Sequence, residues 1–132
     1  MTPLETVQRF VEHINHHDIA AATSVMTPDH RFIDSLGSVV AGRDQVRDAW
    51  QRYFGMVPDY RIAVEHSFTD GPTVVVLGTA SGTYRPDGTG DSANTWQTPA
   101  AWRSVVRGGL VAEWQVYADN EPMRQQMRRA SV

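Results

Sequence analysis

Apolar and polar positions along this chain follow a helical spacing in the first part and an alternating one in the rest. Val7, Phe10, Val11 and Ile14 fall at i, i+3, i+4 and i+7, which predicts one buried face of a helix. Thr2, Pro3 and Glu5 mark its start, a T-x-x-E capping box with proline in the first turn. Asp18 predicts the cap of a second, shorter helix carrying Ile19, Ala22 and Met26, stopped by Thr27-Pro28-Asp29. His30 to Asp34 reads as a strand, Ser35 to Ser38 as a turn, and Val39-Val40 as the returning strand. Gly42 then precedes a third helix with Val46, Ala49, Trp50, Tyr53 and Phe54 on one stripe, ended by Gly55 and Pro58.

Beyond Pro58 the period becomes two-residue. Tyr60, Ile62, Val64, His66 and Phe68 alternate with polar or small residues, and Thr69-Asp70-Gly71-Pro72 is a turn. Thr73 to Tyr84 reads as a long strand in which Gly78 and Gly82 mark bends or close backbone approach. Residues 85–94, R-P-D-G-T-G-D-S-A-N, read as a loop and a candidate lid. Trp96 to Val106 is a strand with a bulge or an edge expected at Pro99. Arg107-Gly108-Gly109 turns into a last strand whose Leu110, Ala112, Trp114, Val116 and Ala118 share a face. Pro122 to Arg129 predicts a short terminal helix with Met123 and Met127 one turn apart. Helices followed by an antiparallel meander give an α+β fold, helices on one face of a curved sheet, as a single domain over residues 1–132.

Composition narrows the functional classes. A net charge of −3, from 12 basic and 15 acidic residues, gives no electrostatic reason to expect nucleic acid. The chain has no cysteine, so disulfides, thiolate nucleophiles and cysteine-bound zinc are excluded. No apolar run approaches the length of a membrane helix, and M-T-P-L-E-T-V lacks the pattern of a signal peptide. A soluble cytoplasmic protein is the expectation.

Candidate chemistry centres on Asp34. It ends an apolar strand and is followed at once by a tight turn, so it is either a buried base or the residue that caps the turn. Asp119 is a second candidate acid, set against its place in the capping sequence Asp-Asn-Glu-Pro. His66 falls on the apolar side of its strand, as a pocket residue or a hydrogen-bonded core histidine. His13, His16 and His17 have helical metal-ligand spacing without an evident third ligand, and a solvated helix end is expected instead of a metal site. Phe10, Phe32, Trp50, Tyr53, Trp102, Trp114 and Val116 are the candidate pocket lining, with Tyr53 and the indole nitrogens as neutral donors. The G-T-G-D near Gly88 and the G-R-D at Gly42 lack the context of a phosphate loop.

Three segments carry a family resemblance: V-Q-R-F-V-E-H-I-N-H-H-D in the first helix, F-I-D-S-L-G-S before the third, and L-V-A-E-W-Q-V-Y-A-D-N at the end. The chain resembles the nuclear-transport-factor-2-like superfamily, in particular its SnoaL-like and ketosteroid-isomerase-like branches. The resemblance implies a cone-shaped roll: three N-terminal helices on a strongly curved mixed or antiparallel sheet, a short C-terminal helix, a deep apolar pocket and a homodimer. It puts Asp34 at the place of the ketosteroid isomerase general base. The oxyanion hole of that enzyme, a tyrosine and a protonated aspartate, is not matched: Phe10 replaces the tyrosine, and Ala100 or Ala101 falls at the second donor. Steroid isomerisation is therefore disfavoured, since losing one such donor typically costs about 10²–10³ in rate. Epoxide hydrolysis of the limonene epoxide hydrolase kind is disfavoured too, because Val116 and Thr79-Ala80-Ser81 stand where its acids and arginine would be. SnoaL-like cyclases use an acid near the end of the last strand. Asp119 is the nearest candidate, with a spacing from Trp114 open by one residue, and one residue reverses the face.

Two readings result. In one, the protein is a cofactor-independent and metal-independent isomerase, cyclase or dehydratase for a small apolar ketone or polyketide-like compound. Asp34 moves the proton, assisted by Tyr53, His66 or Asp119. In the other, it is a non-catalytic module that binds an apolar molecule or serves as a dimerisation scaffold.

Overall fold

The capping box at the chain start closes in both directions. The Glu5 amide donates to Thr2 Oγ1, and the Thr2 amide donates to the Glu5 carboxylate. This computed structural model describes residues 1–86 and 94–130. Helix α1 (Pro3–Asn15) buries Val7, Phe10, Val11 and Ile14 on the expected face. Asp18 caps α2 (Ile19–Ser24) by accepting the Ala21 amide.

The next strand begins earlier than the sequence suggests. Thr27-Pro28-Asp29 does not merely stop a helix; it lies inside β1 (Met26–Ile33), and Met26 belongs to the core at 1% exposure. The Val111 amide donates to Val25 O, and Met26 pairs in parallel with Val111, so the last strand recruits this segment. Pro28 is accommodated because the register is irregular between Met26 and Arg31. β1 then turns back antiparallel onto β2 (Val39–Ala41). Gly42, at φ 95°, supplies the left-handed backbone that starts α3 (Arg43–Met56). The helix runs through Gly55 and stops one residue later, two residues before Pro58.

Four long strands follow: β3 (Arg61–Asp70), β4 (Thr73–Thr83), β5 (Thr95–Arg107) and β6 (Leu110–Ala118). The sheet order is β2-β1-β6-β5-β4-β3, with β1 parallel to β6 and all other neighbours antiparallel. The α+β expectation holds: four helices pack with an open six-stranded mixed sheet. The core lies between the inner face of the sheet and α1, α2 and α3.

Two irregularities change which residues face inward. In β3 the register passes from Val64↔Gly78 to His66↔Leu77, so one extra residue sits on the β3 side. Ile62 and Val64 stay on the helix side, whereas His66 and Phe68 turn outward, Phe68 at 58% exposure. The single apolar face from Tyr60 to Phe68 is thus split. Gly78 is required there, because a Cβ on it would stand 1.9 Å from Ala63 O. In β6 a shift between Val105↔Glu113 and Val106↔Val111 brings Val111 into the core beside Ala112, and Leu110 is only half-buried. At Pro99 there is no bulge. The residue pairs with Thr79, and β6 begins its pairing with β5 only at Ala100, so Pro99 lies where β5 outruns its neighbour. Of the candidate lid, residues 87–93 lie outside the described residues; at its base the Tyr84 amide donates to Asn94 O. The last helix, α4 (Glu121–Ala130), follows β6 after a two-residue link.

Candidate functional site

Where the sheet, α3 and α4 meet, they enclose a cavity of about 360 Å³. All four tryptophans of the chain, Trp50, Trp96, Trp102 and Trp114, line it. Each comes from an inward position: Trp50 from the stripe of α3, Trp96 and Trp102 from alternate positions of β5, and Trp114 from β6. The rings support one another. Trp50 meets Phe32 edge-on at 5.8 Å and Tyr53 at 6.1 Å, and Trp102 stacks with Trp114 at 6.4 Å. Phe32, Trp50, Tyr53, Trp102, Trp114 and Val116 therefore do line a cavity. Phe10 does not. It is fully buried behind the wall, edge-on to Trp114 at 5.0 Å, and acts as the wall's support.

Asp34 is the residue that caps the turn, and it also lines the cavity. Its Oδ1 accepts the amides of Leu36 and Ser38, both at 2.9 Å, which makes it the acceptor that closes the β1–β2 turn. The same carboxylate lines the cavity, on the inward parity of β1 that Phe32 also follows. Among the described residues no hydrogen bond engages Oδ2. The turn thus holds one oxygen and leaves the other available to a ligand.

The acid at the end of the last strand is displaced by its neighbour. Val116, Ala118 and Asn120 line the cavity at every second position, while Tyr117 and Asp119 are exposed. Asp119 Oδ1 accepts the Glu121 amide at 2.9 Å, so it caps α4 outside the cavity. Asn120 is the residue the sequence reading missed, although continuing the alternation from Val116 finds it. Its Nδ2 donates to Ser35 Oγ, which ties the start of α4 to the turn of Asp34. Thr98 Oγ1 donates to Asp119 O at 3.3 Å and also faces the cavity.

Tyr53, partly buried, and Tyr60, buried, are the phenols of the wall, with rings edge-on at 5.1 Å. Burial pushes the pKa of both phenols well above the ordinary tyrosine value, so both remain protonated. Tyr53 Oη donates weakly to Met123 Sδ at 3.8 Å. Met123, Arg124 and Met127 of α4 complete the lining. Phe10, Ala100 and Ala101 carry no hydrogen-bonding side chain, and Ala80 and Val116 add only methyl groups to the lining.

The histidines take other places. His66 is exposed on the outer side of β3, next to Phe68, and does not reach the cavity. The bulge at Glu65, invisible in a simple alternation, is the physical reason. His17 is not a solvated helix end. It stacks on Phe54 at 4.2 Å, its Nε2 lies 2.8 Å from Tyr60 O, and it adopts φ 55°. His30 is fully buried with Nδ1 donating to Val111 O at 2.7 Å, and desolvation lowers its pKa, so it is neutral. Among the described residues no three histidine or acidic side chains gather as metal ligands, and no helix is long and apolar enough to cross a membrane.

Comparison with known proteins agrees with this architecture. The family described as SnoaL-like domain matches residues 7–114. No curated protein matches the chain. A structure from Catenulispora acidiphila DSM 44928, a hypothetical protein of ketosteroid isomerase-like fold in complex with trimethylamine, superposes with a TM-score of 0.80 at 17% identity over 92% of this chain and 91% of that one. IdmH from Streptomyces antibioticus, a proposed polyketide cyclase, gives a TM-score of 0.79 at 21% identity over 97% and 99%. An NTF2-like protein from Burkholderia thailandensis E264 gives 0.80 at 22% over 96% and 98%. At these identities the likeness concerns the fold.

Proposed function

Because the chain belongs to the SnoaL-like domain family, we propose that its cavity binds a small, largely apolar carbonyl compound and that Asp34 moves a proton on it. The reaction class is isomerisation, cyclisation or dehydration, without metal or organic cofactor. The observation that carries this reading is the half-engaged carboxylate: Asp34 is fixed through Oδ1 by two backbone amides while it lines a tryptophan-walled cavity. A base needs fixed geometry and a free lone pair toward the substrate, and this arrangement supplies both. Enolisation also needs a group for the developing oxyanion. Tyr53, a neutral donor on the same wall, fits that need better than His66 or Asp119, which lie outside the cavity.

The fold neighbours include a proposed polyketide cyclase, which supports a small apolar ketone or polyketide-like compound as the substrate class. A volume of about 360 Å³ suits one to three fused rings. The alternative, a binding module without turnover, is favoured by one observation: neither oxyanion donor of ketosteroid isomerase is present. The experiment that separates them pairs tryptophan fluorescence titration with a turnover assay on the same ketone. An enzyme shows both signals and loses only turnover in Asp34→Asn; a binding module shows the titration alone.

We also infer a homodimer through the outer face of the sheet. Pairing sets His66, Leu77, Ala101 and Tyr117 in one row, with Leu77 36% and Tyr117 52% exposed, and Phe68, paired with Val75, lies two residues along the same face. Such a largely apolar row on an otherwise polar surface is the expected signature of a covered face.

A further inference from the structure

We propose that Arg124 selects ligands carrying a single carboxylate, which it holds at the mouth of the cavity while the apolar body lies among the indoles. This rests on the reading of the cavity as a ligand site and adds the chemical class of what enters it.

Among the described residues, Arg124 is the one basic side chain that lines the cavity. Its guanidinium makes no ion pair among the described residues, in contrast to Arg128 on the same helix, which is paired with Glu121. Its position is held by the backbone, where the Arg124 amide donates to Asn120 O at 2.9 Å. Asn120 is in turn bonded to Ser35, adjacent to Asp34. Arg124, which is exposed, Asn120 and Asp34 therefore give a largely apolar cavity a polar rim.

The charges of that rim limit the ligand. A neutral hydrocarbon leaves the guanidinium unused. A dianion such as a phosphate monoester meets one positive charge and the Asp34 carboxylate, so the second charge is repelled. A monoanion matches: its two oxygens fit the fork of the guanidinium in a charge-assisted pair. Asp34 remains within the same rim, where an acidic C–H beside a carbonyl would lie. Because Arg124 is exposed, the expected gain in affinity is modest, about threefold to fivefold, and shrinks with salt.

The test uses 2-naphthoate and its neutral isostere 2-naphthamide, titrated against tryptophan fluorescence at pH 7 in low salt. The wild type is expected to bind naphthoate about threefold to fivefold more tightly than naphthamide. Arg124→Gln is expected to remove that preference by weakening naphthoate alone. Arg128→Gln, which changes the net charge equally on the same helix, is expected to leave the preference intact. Equal affinity for the two probes in the wild type overturns the proposal, as does a preference that survives Arg124→Gln. Binding of naphthamide with no preference overturns this inference while the ligand cavity stands; binding of neither probe overturns both.

Discussion

The side-chain amide of Asn120 donates to Ser35 Oγ, joining the first turn of α4 to the β1–β2 turn across 85 residues of sequence. One hydrogen bond thereby ties the helix that closes the cavity to the turn that fixes Asp34. Asn120→Ala is expected to cost about 1 kcal/mol. The loss should be felt in α4 before the sheet, as faster amide exchange in residues 121–128 with β4 and β5 unchanged.

Asp34 has a structural duty that its variants can separate from any chemical one. Asparagine retains an oxygen able to accept the Leu36 and Ser38 amides, so Asp34→Asn is expected to stay within about 0.5 kcal/mol of the wild type in denaturant unfolding. Asp34→Ala leaves both amides without that acceptor and is expected to lose about 1–2 kcal/mol.

His30 makes stability depend on pH. It is buried and neutral, with its pKa lowered from the ordinary 6.5 by desolvation. The unfolded chain takes up a proton below about pH 6.5 that the folded chain resists, so stability is full above that pH and falls as the pH drops below it. The slope this one group adds is at most about 1.4 kcal/mol per pH unit. His30→Gln is expected to be less stable at pH 7.5 and to lose part of the slope between pH 6.5 and 5, measured by urea unfolding.

Gly78 tests the bulge that turns His66 outward. A methyl group there meets Ala63 O at 1.9 Å, a clash with backbone rather than with a movable side chain. Gly78→Ala is expected to destabilise by about 3 kcal/mol or more. Gly55→Ala, with open space around its Cβ position, serves as the control and is expected to be neutral or slightly stabilising.

The outer sheet face tests assembly. Leu77→Glu with Tyr117→Glu is expected to convert a dimer to a monomer in sedimentation experiments without loss of the far-ultraviolet signal, since both side chains are exposed in the single chain. A wild type that sediments as a monomer at all concentrations contradicts the inferred interface.

What was legible in the sequence was whatever depends on local pattern. The capping box of Thr2 and Glu5, the stripe of α3 and the parity that places Phe32 and Asp34 together all follow from spacing. The misread strand faces of β3 and β6 share a cause. An alternating pattern fixes faces only while the register is unbroken, and it cannot show where a bulge is inserted. One extra residue in β3 moved His66 and Phe68 outward. At the end of β6 the same parity rule, followed from Val116, leads to Asn120; the search for an acid led to Asp119 instead. The part of the site on α4, Met123, Arg124 and Met127, depends on how the last helix packs across the sheet, which no spacing within the helix contains.

The measurement that bears most directly on the central claim is deuterium uptake at the α-carbon of 2-tetralone in D₂O, followed by proton NMR at neutral pD. This apolar ketone fits the class proposed for the cavity, and exchange reports proton abstraction whatever the later steps are. The account predicts exchange above the buffer rate with the wild type, and a loss of about 10²-fold or more of the excess in Asp34→Asn, with the fluorescence titration of the ketone unchanged. If both proteins bind 2-tetralone equally and exchange its protons at the same rate, Asp34 is a turn residue of a binding protein and not its base.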